Sequence, residues 1–466
     1  MNRANTAARP KAARGDACGH PSALSGKTLT RLLIIAVVAA GAFSISGMLR
    51  SSSSAALDAP DVAASESHNG GGCPHFGRRF GIMLDGGSTA SRIHAYEFDF
   101  HENGKVDLKD ELFLESKPGF QSYDDPEAAA NSLVALLDAA VAVVPPERAR
   151  RTPIELKATA GLRLAGPEQA DAILAAVYRL LLRYPFAVSG PEAAIVMDGK
   201  DEGPYAWMTV NFLLDTMSTL PGTPPTGAII DMGGASTQIV FRPDRDSVMG
   251  GVETEKTFRV STEGYDAKVY THSHLGYGLK QANIKMYQAA KEQGLAQSFP
   301  CFPAGHTATA EPKGEAKFEV ATEEKAQSFD KCLALAEGIL NKKKPCPTDS
   351  CSFNGVPQPG LATAFTGPVY AFSYFYDNME PFLNAQGESS VGELRAMAEG
   401  VCGGTDPKYA AHNKQTACMD LSYLYAVLRV GYDLPDDKPL HITKKIKGYE
   451  TAWCLGAMMA AMKLKA

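Results

Sequence analysis

The chain has 466 residues, of which 45% are hydrophobic and 21% are charged, and its formal net charge is −6. This length is more than one hydrophobic core usually organises, so we expect two lobes. The negative charge and the lack of a long basic stripe argue against nucleic acid as a partner. A phosphate ligand would therefore depend on local donors and metal ions.

The N-terminal region is divided by one apolar run. Residues 1–31 are polar and rich in alanine and arginine, and we expect them to form a disordered cytoplasmic leader. Residues 32–49 carry no charge and are about long enough to cross a bilayer. The basic residues before them predict a single-pass type II membrane protein whose bulk is lumenal (Golgi or ER) or extracellular. A cleaved signal peptide is the alternative. Residues 50–77 read as a flexible stalk.

The first predicted element of the globular part is a strand, an Asp-led loop and a second strand. An apolar run over residues 80–84 precedes Asp85-Gly86-Gly87-Ser88-Thr89, and a β-type segment follows. Glycines in such a loop let backbone N–H groups surround an anion, and hydroxyls add donors. The aspartate can hold a divalent cation, often through water.

The same design occurs again in the second half of the chain. The apolar run over residues 227–230 leads into Asp231-Met232-Gly233-Gly234-Ala235-Ser236-Thr237, and another β-type segment follows. Two such loops suggest a duplicated lobe that grips one polyphosphate from both sides. We therefore predict phosphate contacts from Gly87, Ser88, Thr89, Gly233, Gly234, Ala235 and Ser236.

The remaining predicted elements alternate between helices and strands. Between the loops we predict helices over about 126–144, 167–183 and 201–219 and a strand over 154–158. After the second loop we predict helices over 280–293, 324–342, 369–379, 420–429 and 450–464, with loops over 294–320 and 343–362. This mixture predicts an α/β fold.

Nine cysteines occur in the chain, and eight of them follow the apolar run. On the lumenal or outer side of a membrane, disulfide bonds are expected. Closeness in sequence predicts the pairs Cys301–Cys332, Cys346–Cys351 and Cys402–Cys418. Cys454 lies in an apolar helical tail, and we expect it to be a buried free thiol.

Other phosphate-binding designs fit the chain poorly. No Rossmann Gly-x-Gly-x-x-Gly follows a strand, and Ser25-Gly26-Lys27-Thr28 has Pro21 where a Walker loop needs its first glycine. A phosphatase with an aspartyl nucleophile would need a second aspartate where Gly87 stands. The strand–loop–strand design that remains is typical of actin-like ATPases.

Five segments in order resemble the signature regions of the nucleoside triphosphate diphosphohydrolase (apyrase) family. They are Leu84–Arg92, Lys157–Arg163, Met197–Trp207, Asp231–Gln238 and Tyr370–Tyr376. The match spans roughly residues 79–460, and the single N-terminal anchor is similar to that of the family's Golgi/ER nucleoside diphosphatases. The chain departs from the family pattern at Gly86 and Ala90, where the family usually has alanine or threonine and then glycine. This exchange would shift where the loop adopts positive φ.

The resemblance implies two actin-like (RNase H-like, ASKHA-type) lobes with the active site in the cleft between them. The first lobe would comprise residues 78–200 and 448–466, and the second lobe residues 201–447. It also implies direct attack of water on the terminal phosphate, with no covalent phosphoenzyme.

The resemblance assigns roles to individual residues. Glu202 matches the family's catalytic base, although an acid at this place could equally be a first-turn residue stabilised by the helix dipole. Asp85 and Asp231 would orient waters around Mg²⁺ or Ca²⁺, and Thr159 and Gln238 would help place metal-bound water and nucleophile. Either Tyr374 or Tyr376 would stack on the nucleobase, and core packing is the alternative for both.

These expectations favour hydrolysis of nucleoside di- and possibly triphosphates, with GDP or UDP in the secretory pathway as the substrates. A broad ATP/ADP apyrase at the cell surface or secreted is the alternative. A nucleotide-binding module with a conformational output, as in actin and Hsp70-like chaperones, is the alternative of another class. The intact acids Glu202, Asp85 and Asp231 argue against a catalytically dead binding protein. The sequence leaves the oligomeric state, the preferred nucleotide and the metal open.

Overall fold

The computed structural model describes residues 77–463, apart from 103–104, 219, 246–248, 250–251, 263–264, 323–326 and 405–413. The predicted leader, the predicted membrane anchor and nearly all of the stalk lie outside the described residues. Gly77 is the first described residue, and it begins the first strand.

The first sheet contains the first Asp-led loop. Its strands are β1 (Gly77–Gly86), β2 (Ser91–Phe100), β3 (Val106–Ser116), β4 (Ile154–Ala158) and β5 (Ala194–Val196). Their order is β3-β2-β1-β4-β5, with β2 antiparallel to β1 and β4 parallel to it. The apolar run at the end of β1 is fully buried, and this places Asp85 at the buried end of a central strand.

Helices cover this sheet and bury one of its faces. They are α1 (Pro126–Asn131), α2 (Val134–Val143), α3 (Pro146–Ala149), α4 (Ala160–Ala165) and α5 (Pro167–Leu181). The Asp125 side chain caps α1 by accepting hydrogen bonds from the next turn's amides. Residues 126–143 are apolar and long enough to cross a membrane, but core helices pass the same test. Leu133, Leu136 and Leu137 indeed lie in the hydrophobic core, and α2 packs on β2 and β3.

The second sheet contains the second Asp-led loop. Its strands are β6 (Ala228–Met232), β7 (Ser236–Phe241), β8 (Thr257–Thr262), β9 (Tyr265–Leu275), β12 (Val369–Ser373), β13 (Glu388–Ser390) and β14 (Pro439–Ile442). Their order is β13-β14-β12-β6-β7-β9-β8. The antiparallel pair β6–β7 lies beside the parallel strand β12, as β1–β2 lies beside β4. The two sheets therefore repeat one local arrangement around the two loops.

The remaining elements include eight helices and two small hairpins among the described residues. The helices are α6 (Gly199–Leu213), α7 (Leu279–Glu292), α8 (Phe329–Leu340), α9 (Leu361–Ala364), α10 (Tyr374–Met379), α11 (Val391–Gly403), α12 (Ala417–Ala426) and α13 (Cys454–Ala461). The hairpins are β10 (Thr307–Ala310) with β11 (Phe318–Ala321), and β15 (Lys445–Ile446) with β16 (Tyr449–Glu450).

Two sequence-based expectations for this half were wrong in part. The helix expected over 369–379 begins at Tyr374, because Val369–Ser373 forms β12 between β6 and β14. The periodicity of a short apolar run does not distinguish a buried strand from a helix. Here the segment is a strand because it pairs with β6. The loop expected over 294–320 contains β10 and most of β11.

Helices α6 and α13 pack on each other between the two sheets. A Cβ at Gly456 would overlap the Tyr205 carbonyl oxygen, so a glycine is needed for this close approach. Their shared core contains Met83 of the first sheet and Val240 of the second. The last helix thus returns to the first sheet, where it contacts β1. The exact lobe boundaries stay a prediction.

The three predicted disulfide bonds are confirmed. They join Cys301 to Cys332, Cys346 to Cys351 and Cys402 to Cys418. Cys454 is a buried free thiol, also as predicted.

Candidate active site

The two Asp-led loops face each other across a cleft. A Cβ added to Gly234 would lie 2.8 Å from Ser88 Oγ and 3.3 Å from Thr89 Oγ1, so the loops nearly touch. The cleft has a volume of about 400 Å³. Most of the predicted site residues line it, namely Asp85, Gly87, Ser88, Thr89, Thr159, Glu202, Asp231, Gly233, Gly234, Ala235, Ser236 and Tyr374.

Two predicted site residues lie elsewhere. Gln238 is buried behind the second loop, where its Nε2 donates to Ser236 Oγ at 2.8 Å and to Ser273 Oγ at 3.0 Å. Tyr376 lines a neighbouring cavity of about 590 Å³. Of the two candidate tyrosines, Tyr374 is therefore the one whose side chain borders the cleft.

The glycines of the first loop serve close packing. A Cβ at Gly86 would lie 3.0 Å from the Phe120 ring and 3.1 Å from Ala158 Cα, and one at Gly87 would lie 2.7 Å from the Ala90 carbonyl oxygen. Neither glycine has a positive φ. The expectation that the exchange of Gly86 and Ala90 shifts a positive-φ position was therefore wrong, because close approach and not backbone handedness requires glycine here.

The second loop is fixed by the first turn of α7. The amides of Leu279 and Lys280 donate to the carbonyl oxygens of Gly233 and Gly234 at 2.9 and 3.0 Å. A Cβ at Gly278 would lie 2.5 Å from the Ala235 and Ser236 nitrogens. This packing holds the loop backbone in place before any ligand binds.

The cleft carries a surplus of negative charge. Of the described residues that line it, six are aspartates or glutamates and three are lysines or arginines. Both loop aspartates are buried, and among the described residues Oδ1 of each has no hydrogen-bond partner. Burial raises the pKa of Asp231 to about 6, although a hydrogen bond from the Ser373 side chain opposes this. Such a site favours a cation, because each carboxylate keeps one buried oxygen with no partner, and such an oxygen is costly to bury.

The donor set matches a cation held through water. Within the described part of the chain, no group of three or more His, Cys, Asp or Glu side chains is placed to ligate a metal directly. Two carboxylates on facing loops, each with a free oxygen, fit a hydrated divalent ion better than a fully protein-ligated one.

Glu202 lies in the first turn of α6 and is 7% exposed. Burial raises its pKa to about 7; the Arg163 guanidinium lowers it, and Asp231 and Asp85 raise it further. Arg163 Nη2 donates directly to Glu202 Oε2. A carboxylate with a pKa near neutrality is suited to accept a proton from water.

Three further residues of the site were missed by sequence reasoning. Arg92 lies beside Asp85 in the cleft, and Arg163 holds Glu202, although both are inside motifs that resemble the family's. Ser373 has φ 58° and ψ −123°, a strained backbone for a residue other than glycine, next to Asp231. Strand alternation after the first loop could have indicated Arg92, whereas the sequence gives no signal for the Ser373 backbone.

The two sheets, each with an Asp-led loop at a shared cleft, define an actin-like fold. Residues 74–466 match the GDA1/CD39 (nucleoside phosphatase) family, and the chain belongs to it. The family resemblance predicted from the five motifs is thereby confirmed, and the chain is a hydrolase that acts on phosphoanhydrides.

Relatives whose names state an activity support the assignment of the chain to this family. The chain is similar to the guanosine-diphosphatase of Schizosaccharomyces pombe, with 37% identity over 417 residues that cover 83% of this chain and 74% of that protein. It is also similar to the human nucleoside diphosphate phosphatase ENTPD5, with 32% identity over 81% of this chain and 86% of the relative.

The fold has a match among solved structures. The crystal structure of nucleoside triphosphate hydrolases from Neospora caninum aligns with a TM-score of 0.57 at 15% identity, covering 83% of this chain and 92% of that one. The predicted fold class, α/β with two actin-like lobes, is confirmed by this likeness.

Proposed function

We propose that this protein removes the terminal phosphate from nucleoside diphosphates, foremost GDP and UDP, by attack of water that Glu202 activates. The observation that carries the proposal is a buried carboxylate with a pKa of about 7 in a cleft between two phosphate loops. The names of the two relatives described above, which specify guanosine diphosphate and nucleoside diphosphates, favour this substrate class over triphosphates.

A divalent cation belongs to this proposal. Asp85 and Asp231 would hold Mg²⁺ or Ca²⁺ through water, since each has a buried oxygen free. When bound, the ion would neutralise charge on the phosphates, which the cleft's surplus of carboxylates would otherwise repel.

The chain's own groups would orient the substrate and the water. Hydroxyls of Ser88, Thr89 and Ser236 and the amides of the two loops would bind phosphate oxygens. Thr159 is the N-cap of α4 but its side chain makes no capping hydrogen bond, and this leaves the hydroxyl for water. Gln238 would act through Ser236, whose hydroxyl it holds at 2.8 Å. Glu202 would take the proton of the attacking water.

Tyr374 is the residue that we propose for base stacking. It borders the cleft together with Asp377, whereas Tyr376 lines a separate cavity. A stacked ring tolerates every base, because each base offers a π-face, and this agrees with the use of both GDP and UDP.

We also propose that the catalytic part lies in the lumen of the secretory pathway, anchored by residues 32–49 as a single-pass type II protein. The three disulfide bonds support an oxidising compartment.

Phosphate release by the full chain in detergent tests the proposed function. GDP, UDP, ADP and ATP would each be offered with Mg²⁺, with Ca²⁺ and with chelator. We expect release that depends on metal and is fastest with GDP and UDP. Equal or faster release from ATP would instead indicate a broad apyrase, and no release from any nucleotide by folded protein would leave a binding module.

A further inference from the structure

Three charged residues form a row across the first sheet at the cleft end. In the strand register Asp85 of β1 pairs with Arg92 of β2, which pairs with Glu115 of β3. Arg92 Nη1 lies 3.0 Å from Asp85 Oδ2, and Nε and Nη2 lie 3.0 and 2.9 Å from Glu115 Oε2. The guanidinium is thus fixed along one edge by Glu115, and its Nη1 faces Asp85.

The same guanidinium lies against the phosphate loop. A Cβ at Gly87 would lie 3.2 Å from Arg92 Nη1, and the Arg92 side chain is 30% exposed where it lines the cleft. A guanidinium stays charged at every physiological pH. Arg92 therefore places a permanent positive charge on the carboxylate that we expect to orient metal-bound water.

We propose that Arg92 is an internal counter-cation that competes with the divalent cation for Asp85. In the metal-free protein it neutralises the buried Asp85 carboxylate. A cation held at Asp85 would displace Nη1 from the carboxylate, whereas Glu115 would keep the guanidinium in place through Nε and Nη2. The freed Nη1 then donates to a phosphate oxygen of the substrate, a second step that rests on the proposed function.

This arrangement predicts effects of opposite sign on two ligands. Removal of the Arg92 charge removes both a competitor for Asp85 and a repulsion against the metal ion, so metal affinity should rise. The same change removes a donor to phosphate, so nucleotide affinity should fall. If Arg92 only stabilised the structure, its substitution would weaken the binding of both metal and nucleotide or leave both unchanged.

The first test uses Mn²⁺ alone, with no nucleotide. We would measure its binding to the full chain in detergent by titration calorimetry and by the loss of the free Mn²⁺ electron paramagnetic resonance signal. We expect Arg92→Met to bind Mn²⁺ about tenfold more tightly than the wild type. Arg92→Gln should show the same direction, and because it keeps an N–H donor for Asp85 it serves if the methionine variant does not fold.

The matched control is Arg78→Met at the far end of the same strand pair. Arg78 forms an ion pair of 3.1 Å with Glu97 and is largely exposed, so its loss should leave Mn²⁺ affinity unchanged. Unchanged or weaker Mn²⁺ binding by the two folded Arg92 variants would overturn the proposal.

The second test measures GDP binding in the presence of saturating Mn²⁺, with Glu202→Gln added to each variant to prevent turnover. We expect Arg92→Met to weaken GDP binding about tenfold. Unchanged GDP binding would overturn the step in which Nη1 donates to phosphate. Tighter Mn²⁺ binding in a protein that hydrolyses no nucleotide would leave the competition at Asp85 intact and refute the proposed function instead.

Discussion

The two Asp-led loops share one backbone design but differ in the residue paired with the aspartate. Asp85 pairs with Arg92, and Asp231 pairs with Gln238, at the same place in the strand register. In the first loop a guanidinium therefore lies on the carboxylate. In the second loop the Gln238 side-chain amide donates to Ser236 and Ser273 and not to Asp231. Asp231 instead accepts a hydrogen bond from the Ser373 hydroxyl.

The electrostatic result differs accordingly. Burial raises the pKa of both aspartates; the Arg92 guanidinium opposes this rise at Asp85, whereas a hydrogen bond from Ser373 opposes it at Asp231, whose pKa is about 6. Asp231 also raises the pKa of Glu202 more than Asp85 does. The comparison teaches that a duplicated loop supplies the geometry, while the partner of each aspartate decides whether a cation or a hydroxyl opposes the effect of burial on its pKa.

The largest expected effect concerns Glu202, whose pKa is raised by the aspartates of both loops. Glu202→Gln should lower the rate of phosphate release by about 10³-fold, because the amide cannot accept the proton of water. Mn²⁺ and GDP binding should remain, since both loops stay intact. Phosphate release and equilibrium binding would be measured on the same preparation.

Glu147→Gln is the matched control, because Glu147 is also a first-turn helix acid but is exposed and remote from the cleft. Its activity should equal that of the wild type. Substantial turnover by the Glu202 variant would show that another group accepts the proton.

The next effect tests the second loop through Gln238. Gln238→Ala should lower kcat/KM about tenfold, because Ser236 Oγ loses the amide that orients it. Mn²⁺ binding should not change, in contrast to substitution of Arg92 at the equivalent place. If Gln238→Ala instead tightened Mn²⁺ binding, the residue paired with each aspartate would not be what distinguishes the two loops.

A large part of this site could be predicted from the sequence. Each loop is a contiguous run after an apolar strand, so the local pattern predicted the pair of loops. Glu202 was assigned to the same site only through the family resemblance of its motif. The ion pair of Arg92 with Glu115 could not be predicted, because the residues are 23 positions apart and a β-bulge between Glu97 and Phe98 shifts their register. The directions of the side chains after Ser373 likewise depend on the pairing of β12 with β6. The sequence therefore could not show that Tyr374 and Tyr376 line different cavities.

A smaller effect concerns pH and the Arg163 partner of Glu202. The base acts when ionised, so kcat/KM should rise with pH through about 7 in the wild type. Arg163 lowers the pKa of Glu202, and Arg163→Ala should therefore raise that pKa and move the acidic limb to higher pH. The activity that Arg163→Ala loses relative to the wild type should be several-fold greater at pH 6.5 than at pH 8.5.

Arg179→Ala controls for the loss of an arginine, because Arg179 forms an exposed ion pair with Glu127. Its pH profile should coincide with that of the wild type. Parallel profiles for Arg163→Ala and wild type would mean that Arg163 does not act through the charge of Glu202.

The smallest effect separates backbone strain from hydrogen bonding at Ser373. With φ 58° and ψ −123°, this residue has the backbone of a type II′ turn position that glycine prefers. Ser373→Gly and Ser373→Ala both lose the hydroxyl that supports Asp231, but only glycine relieves the strain. The glycine variant should therefore exceed the alanine variant by about 1 kcal/mol in free energy of unfolding, measured by urea titration with chelator present.

Both Ser373 variants should lose activity to a similar extent, since the hydroxyl gives Asp231 the partner that Arg92 gives Asp85. A glycine variant with wild-type activity would show that the strain, and not the hydrogen bond, opposes function at this place. In that case Asp231 would function without a polar partner from the protein, whereas Asp85 has one in Arg92.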